Sequence, residues 1–177
     1  TSHDIDFSGV TFRYEEGVDV LTDFSLKLES GKKYALVGSS GSGKSTIAKL
    51  ISGFYPVSSG ELKIGGVDIS KYKRETLEHE IAFVFQNAKL FKTSIYENVK
   101  IGRPDASREE VIKALDLAMC GSILDKFETR EETIIGAKGV HLSGGETQRI
   151  AIARAILKDA PIIILDEASA ASDPENE

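Results

Sequence analysis

The densest chemistry in the chain lies between residues 38 and 46, which read Gly38-Ser39-Ser40-Gly41-Ser42-Gly43-Lys44-Ser45-Thr46. Two glycines flank a short spacer and are followed by lysine and serine. That spacing lets successive backbone N–H groups turn inward and cradle phosphate oxygens. A helix beginning near Lys44 would add its positive end to the cradle. The lysine would then neutralise the β- and γ-phosphates, and the Ser45 hydroxyl would be an oxygen ligand for Mg²⁺, a hard cation that keeps phosphate and water as its other ligands. Apolar Tyr34-Ala35-Leu36-Val37 before the loop and Ile47, Leu50 and Ile51 at helical spacing after it predict strand, loop and helix.

Further along, Ile162-Ile163-Ile164-Leu165 runs into Asp166 and Glu167. Two carboxylates at the end of an apolar strand are costly to bury unless they serve a purpose, such as holding a metal or polarising water. Leu142-Ser143-Gly144-Gly145-Glu146 opens a helical stretch. A serine N-cap with a glycine turn explains that start by itself, and it also suits an anion. Gln86 follows the strand-like Ile81 to Phe85, and Tyr14 ends an alternating segment. Each could be an ordinary polar or aromatic strand end.

Taken together these segments resemble the ATP-binding cassette (ABC) ATPases. Leu142 to Glu146 is similar to the family's LSGGQ signature with Glu146 in place of glutamine, and Thr147-Gln148-Arg149-Ile150-Ala151-Ile152-Ala153-Arg154-Ala155 continues it as the signature helix. The resemblance covers essentially the whole chain. It implies a P-loop core with a mainly parallel sheet, an antiparallel N-terminal β-subdomain and an α-helical signature subdomain at roughly residues 87–145, all within one cassette over residues 1–177. It further implies that ATP is held by Tyr14 through its adenine and by Gly38 to Thr46 through its phosphates. Mg²⁺ would be held by Ser45, Gln86 and Asp166, and Glu167 would be the general base. Two cassettes would face head to tail, with Leu142, Ser143, Gly144, Gly145 and Glu146 of one meeting ATP on the other. Asp173 resembles the aspartate that communicates across that dimer, although Ser172 precedes it where leucine is usual.

Gln86-Asn87-Ala88-Lys89-Leu90-Phe91, Ser94-Ile95-Tyr96-Glu97-Asn98-Val99 and Thr133-Ile134-Ile135-Gly136 resemble exporter-type cassettes, with Ala137 where a glutamate is usual. The implied partners are a second nucleotide-binding domain and a transmembrane domain, in the same chain or another, and the implied place is the cytoplasmic face of a membrane. The family's switch histidine belongs after a further strand beyond Glu167, and His3, His79 and His141 do not fit it. The expectation is therefore a cassette whose last strands lie outside this sequence. An ATP-gated clamp that dimerises without useful hydrolysis is the second reading. A DNA-repair ATPase of the same superfamily would need long heptad arms, which the short segment between Gln86 and Leu142 lacks.

The elements that must position these residues alternate between strand and helix, which predicts an α/β fold. Ile5 to Tyr14 and Phe24 to Leu28 have the two-residue period of half-buried strands, with a turn at Glu15-Glu16-Gly17. Glu61 to Ile64 and Ile81 to Phe85 read as strands. Arg108 to Met119 places Val111, Ile112, Leu115 and Met119 on one helical face, after a capping box at Ser107 and Glu110. Gly102-Arg103-Pro104-Asp105 is a turn, Gly145 to Leu157 a second amphipathic helix, and Ile162 to Leu165 a strand buried on both faces.

Composition agrees with a single globular domain, since 41% of the 177 residues are apolar. A net charge of -6 gives no general attraction to nucleic acid or anionic lipid. Cys120 sits in an apolar helical run, where a buried inert thiol and a reducing compartment are expected. No long apolar run predicts a membrane span, and Thr1-Ser2-His3-Asp4 lacks the features of a secretory signal.

Overall fold

The structure is a computed structural model, and it describes residues 2–136 and 140–166. The chain divides into two compact units at residue 81.

In the first unit β1 (Ile5–Phe12) pairs antiparallel with β2 (Leu21–Leu28) on one side and with β3 (Ser59–Ile64) on the other. A short β4 (Val67–Asp68) completes the order β2-β1-β3-β4. The alternation of β1 slips once. Ile5 and Phe7 are buried, and so are Val10 and Phe12, because a bulge between Phe7 and Val10 inserts a residue and returns the apolar side chains to the same face. Glycine permits this bulge. Gly60 of β3 has φ +83°, and a Cβ there would sit 2.3 Å from the Gly9 carbonyl oxygen. Phe7 meets Phe24 edge to face with centroids 5.4 Å apart, and Leu62 and Ile64 are fully buried.

Helix α1 (Lys44–Ile51) follows the glycine loop and buries Ile47, Leu50 and Ile51, as their spacing predicts. The expected strand Tyr34 to Val37 does not form: these residues have no regular structure, and Val37 is 91% exposed. A strand exists only through its ladder, and no described strand pairs with this segment. A 3₁₀ turn at Ile69–Lys71, capped by the Asp68 carboxylate, leads to α2 (Arg74–Glu80).

At the start of the second unit β5 (Ile81–Val84) pairs as a two-stranded sheet with β6 (Ile162–Leu165), the last element among the described residues. Between them come α3 (Ile95–Lys100), α4 (Arg108–Leu117), α5 (Gly121–Leu124) and α6 (Gly144–Lys158). Val99, Leu115, Ile123 and Ile150 are fully buried in the core these helices share. The Ser107–Glu110 capping box is present in full at the start of α4. Cys120 lies in this core, and burial pushes its thiol up to about 11, which makes it a poor nucleophile. The expectation for β6 is corrected in one respect. Ile163 and Leu165 are 50% and 53% exposed, because nothing among the described residues covers that face.

Candidate nucleotide site and signature helix

In the first unit, α1 begins at Gly43, whose φ of +89° turns the loop into the helix. A Cβ at Gly43 would press on Leu21 at 3.0 Å, so both conformation and space favour glycine here. The start of α1 carries no side-chain cap and no acidic residue in its first turn. Its positive end thus faces the loop without an acidic side chain of its own, which is the condition a phosphate requires. The Lys44 ammonium folds back over the same loop and donates to the carbonyl oxygens of Gly38 (2.9 Å) and Ser39 (2.8 Å) and to Ser42 Oγ (3.3 Å). Cation and backbone donors therefore converge on one loop. Ser40, Gly41 and Ser42 lie exposed along it, and Ser45 is half-buried in the first turn of α1.

Tyr14, two residues past the end of β1, is brought to the same helix. Its hydroxyl lies 3.1 Å from Oγ1 of the buried Thr46. Its ring meets Phe12 and Tyr55 edge to face at 4.8 and 5.1 Å, with interplanar angles of 85° and 90°. Lys49 Nζ stands 5.9 Å from the ring centroid. Tyr14 remains 45% exposed, a flat apolar surface beside the phosphate loop. Thr46 thus lies against the tyrosine, and Tyr55 is a member of the cluster that sequence reasoning missed. Its only signal was its place in an exposed aromatic pair, Phe54-Tyr55, shortly after α1.

In the second unit, Gln86 lies two residues past the end of β5 and Asp166 directly follows β6. Asp166 N–H donates to the Val84 carbonyl at 3.0 Å, so both residues lie at the same end of the paired strands. Each supplies oxygen donors suited to Mg²⁺. Glu167 and Asp173 lie outside the described residues, as does Ala137.

Ser143 is the N-cap of α6. Its hydroxyl accepts from Glu146 N–H at 3.2 Å, and its own N–H donates to Glu146 Oε2 at 2.8 Å. Glu146 is 7% exposed, and its Oε1 is held by the Lys126 ammonium. The Lys126 bond, followed by the Ser143 N–H, keeps the Glu146 carboxyl below its ordinary value. Leu142 anchors the turn against the helical core, whereas Gly144 faces open space where a Cβ would meet nothing.

The second unit also carries a groove of about 610 Å³ lined by Phe85, Phe91, Ile101, Arg154 and Lys158 among others. Asn98, fully buried, holds two of its lining residues, Phe91 and Arg154. It accepts from Phe91 N–H at 2.8 Å and donates to the Phe91 and Ser94 carbonyls at 3.0 Å each. Arg154 donates to the Asn98 carbonyl (2.8 Å) and side chain (3.1 Å), and its guanidinium stands 5.7 Å from the Phe91 ring centroid. Sequence reasoning gave Asn98 and Arg154 no separate role, because their meeting depends on α3 packing beside α6.

Known proteins identify the family. A family model described as "ABC transporter" matches residues 21–170. The chain is 46% identical over 174 residues to a putative multidrug export ATP-binding/permease protein of Bacillus subtilis, covering 98% of the chain and 30% of that protein. It is 45% identical over 176 residues to the ATP-dependent lipid A-core flippase of Escherichia coli K12, again covering 98% and 30%. A bacterial Atm1-family ABC exporter with ATP bound superposes with a TM-score of 0.92 at 37% identity over 98% of the chain and 30% of that structure. The chain thus spans about 30% of the length of these relatives. Its fold is theirs, mixed α/β with an antiparallel N-terminal sheet and a parallel sheet. With a family model over most of its length and relatives well above a third identical, the chain belongs to the ABC transporter family.

Proposed function

We propose that the chain is one ABC cassette, residues 1–177 with a helical signature subdomain near residues 87–145, that binds and hydrolyses ATP to power export across a membrane. The observation that carries this reading is the phosphate loop. The uncapped, acid-free start of α1 and the Lys44 ammonium on the Gly38 and Ser39 carbonyls give one anion site with backbone donors and a cation together.

ATP would lay its phosphates along Gly38 to Thr46 and its adenine on Tyr14, whose ring is already oriented by Thr46, Phe12 and Tyr55. The oxygen donors of Ser45, Gln86 and Asp166 would hold Mg²⁺. When bound, that ion neutralises charge developing on the transferred phosphoryl group. Glu167 would polarise the attacking water. A second cassette would close on the γ-phosphate through Leu142 to Glu146, with Asp173 communicating between the pair. The groove lined by Phe91 and Ile101 would receive a transmembrane domain, and the cassette would lie at the cytoplasmic face of a membrane. No helix of the described residues is itself long and apolar enough to cross one.

Catalysis of phosphoryl transfer rests mainly on positioning and charge, so removing the base should slow chemistry and spare binding. In the whole protein that carries this chain, Glu167→Gln should lower ATP turnover by about a hundredfold or more while ATP-dependent closure persists. Steady-state phosphate release and nucleotide-dependent crosslinking between cassettes would measure the two effects. Unchanged turnover would remove Glu167 as the base. ATP-dependent closure of the wild type without phosphate release would favour a nucleotide-gated clamp.

A further inference from the structure

The two helix starts that the proposed function brings to phosphate differ in charge. The start of α1 has no acid in its first turn, whereas that of α6 contains Glu146, a carboxylate at the third helical position and almost fully buried. A negative side chain there stabilises the helix by itself, but it also partly cancels the positive end that an incoming phosphate would use. Lys126, two residues past α5, places its ammonium on Glu146 Oε1 while Ser143 N–H occupies Oε2. The neighbouring cation, Arg130, is turned to Asp125 and Glu131.

We propose that Lys126 is a positioning residue for the signature turn of this chain. It neutralises Glu146, fixes the Ser143–Glu146 box, and so restores a net positive approach for the γ-phosphate of ATP on the opposing cassette. This rests on the proposed contact between the signature turn and that ATP. Lys126 and Glu146 then act as a unit, so a glutamine at 146, which has the same shape and no charge, makes the lysine dispensable. Coulomb interaction across one or two helical turns, partly screened, sets the size of the effect at several-fold in apparent affinity.

The experiment is a double-mutant cycle on MgATP hydrolysis by the whole protein that carries this chain, with KM, kcat and thermal midpoint read for each variant. Lys126→Met should raise KM for ATP about fivefold, Lys126→Arg should leave it near wild type, and Glu146→Gln should restore KM in the Lys126→Met background. Three results would overturn the proposal: an unchanged KM in Lys126→Met, a rise that Glu146→Gln does not reverse, or a fall in thermal midpoint that accounts for all lost activity at constant KM. Ser143→Ala separates the layers. If it depresses hydrolysis while Lys126→Met leaves KM alone, only the role of Lys126 falls. If Ser143→Ala is without effect, the signature contact itself falls.

Discussion

Thr46, Asn98 and Glu146 are buried polar side chains held by countable bonds. Asn98 shows the limit of reading them from sequence. Its side chain serves Phe91, Ser94 and Arg154 at once, yet nothing in Ser94-Ile95-Tyr96-Glu97-Asn98 distinguishes it from a surface asparagine. The burial of Cys120 was legible from its apolar neighbours, but the helical run expected around it was not formed: α4 ends at Leu117, and Met119, with φ +58° and 74% exposed, leaves the face it shares on paper with Leu115. Glu146 stands between these cases. A serine three residues before a glutamate is the capping-box spacing read at Ser107 and Glu110. The same spacing at Ser143 and Glu146 shows why a glutamate suits a position where glutamine is usual. The carboxyl of Glu146 is held below its ordinary 4.5 by Lys126 and Ser143, so the unfolded chain binds that proton at higher pH than the folded one. Its stabilisation is therefore fully present above about pH 4.5 and is lost as pH falls through the folded value. Glu146→Gln should flatten the acid limb of a stability-against-pH curve from chemical denaturation, lowering stability in the neutral region and leaving the acid region, where the carboxyl is already protonated, little changed.

Among the elements, those with an amphipathic period and a cap were legible to within a residue or two, as α4 and α6 show. Continuous apolar runs were legible only in part. Tyr34 to Val37 and Ile162 to Leu165 look alike on paper, but only the second becomes a strand, because β5 lies beside it to accept its ladder. Ladder formation is decided by a distant partner, and local composition carries no record of it. The bulge in β1 is similar. Its one-residue slip requires Gly60 opposite Gly9, a contact between strands far apart in sequence. At this scale the capping box of α4 is the cleanest test. Ser107 accepts from Glu110 N–H, and its own N–H is bound by Glu110 Oε2. Ser107→Ala should cost about 1 kcal/mol. A fall in the thermal midpoint with no change in ATP affinity would show it, whereas an unchanged midpoint would mean the cap is replaced by water.

For the molecule as a whole, the α/β class, the phosphate loop and the signature helix were readable because each joins a short motif to the right flanking period. Tyr55, Lys126 and the Asn98–Arg154 joint were not, because they arise only once elements have packed. The helical core around Leu115 and Ile150 contrasts with the half-exposed β6 and the irregular Tyr34 to Val37. Amides of Tyr34 to Val37 have no backbone partner among the described residues, whereas those in the middle of α6 lie in a fully bonded helix beside buried side chains. Deuterium should therefore enter the 177-residue chain in a fixed order, first at Tyr34 to Val37, then along β6, and last in the middle of α6, read by mass spectrometry of peptides. Equal protection of Tyr34 to Val37 and α6 would show that the segment has found a ladder partner. If the order holds, the loop that is to grip phosphate is entered through labile backbone, and any strand that pairs with Tyr34 to Val37 becomes a brace whose arrival slows the clock of the phosphate loop.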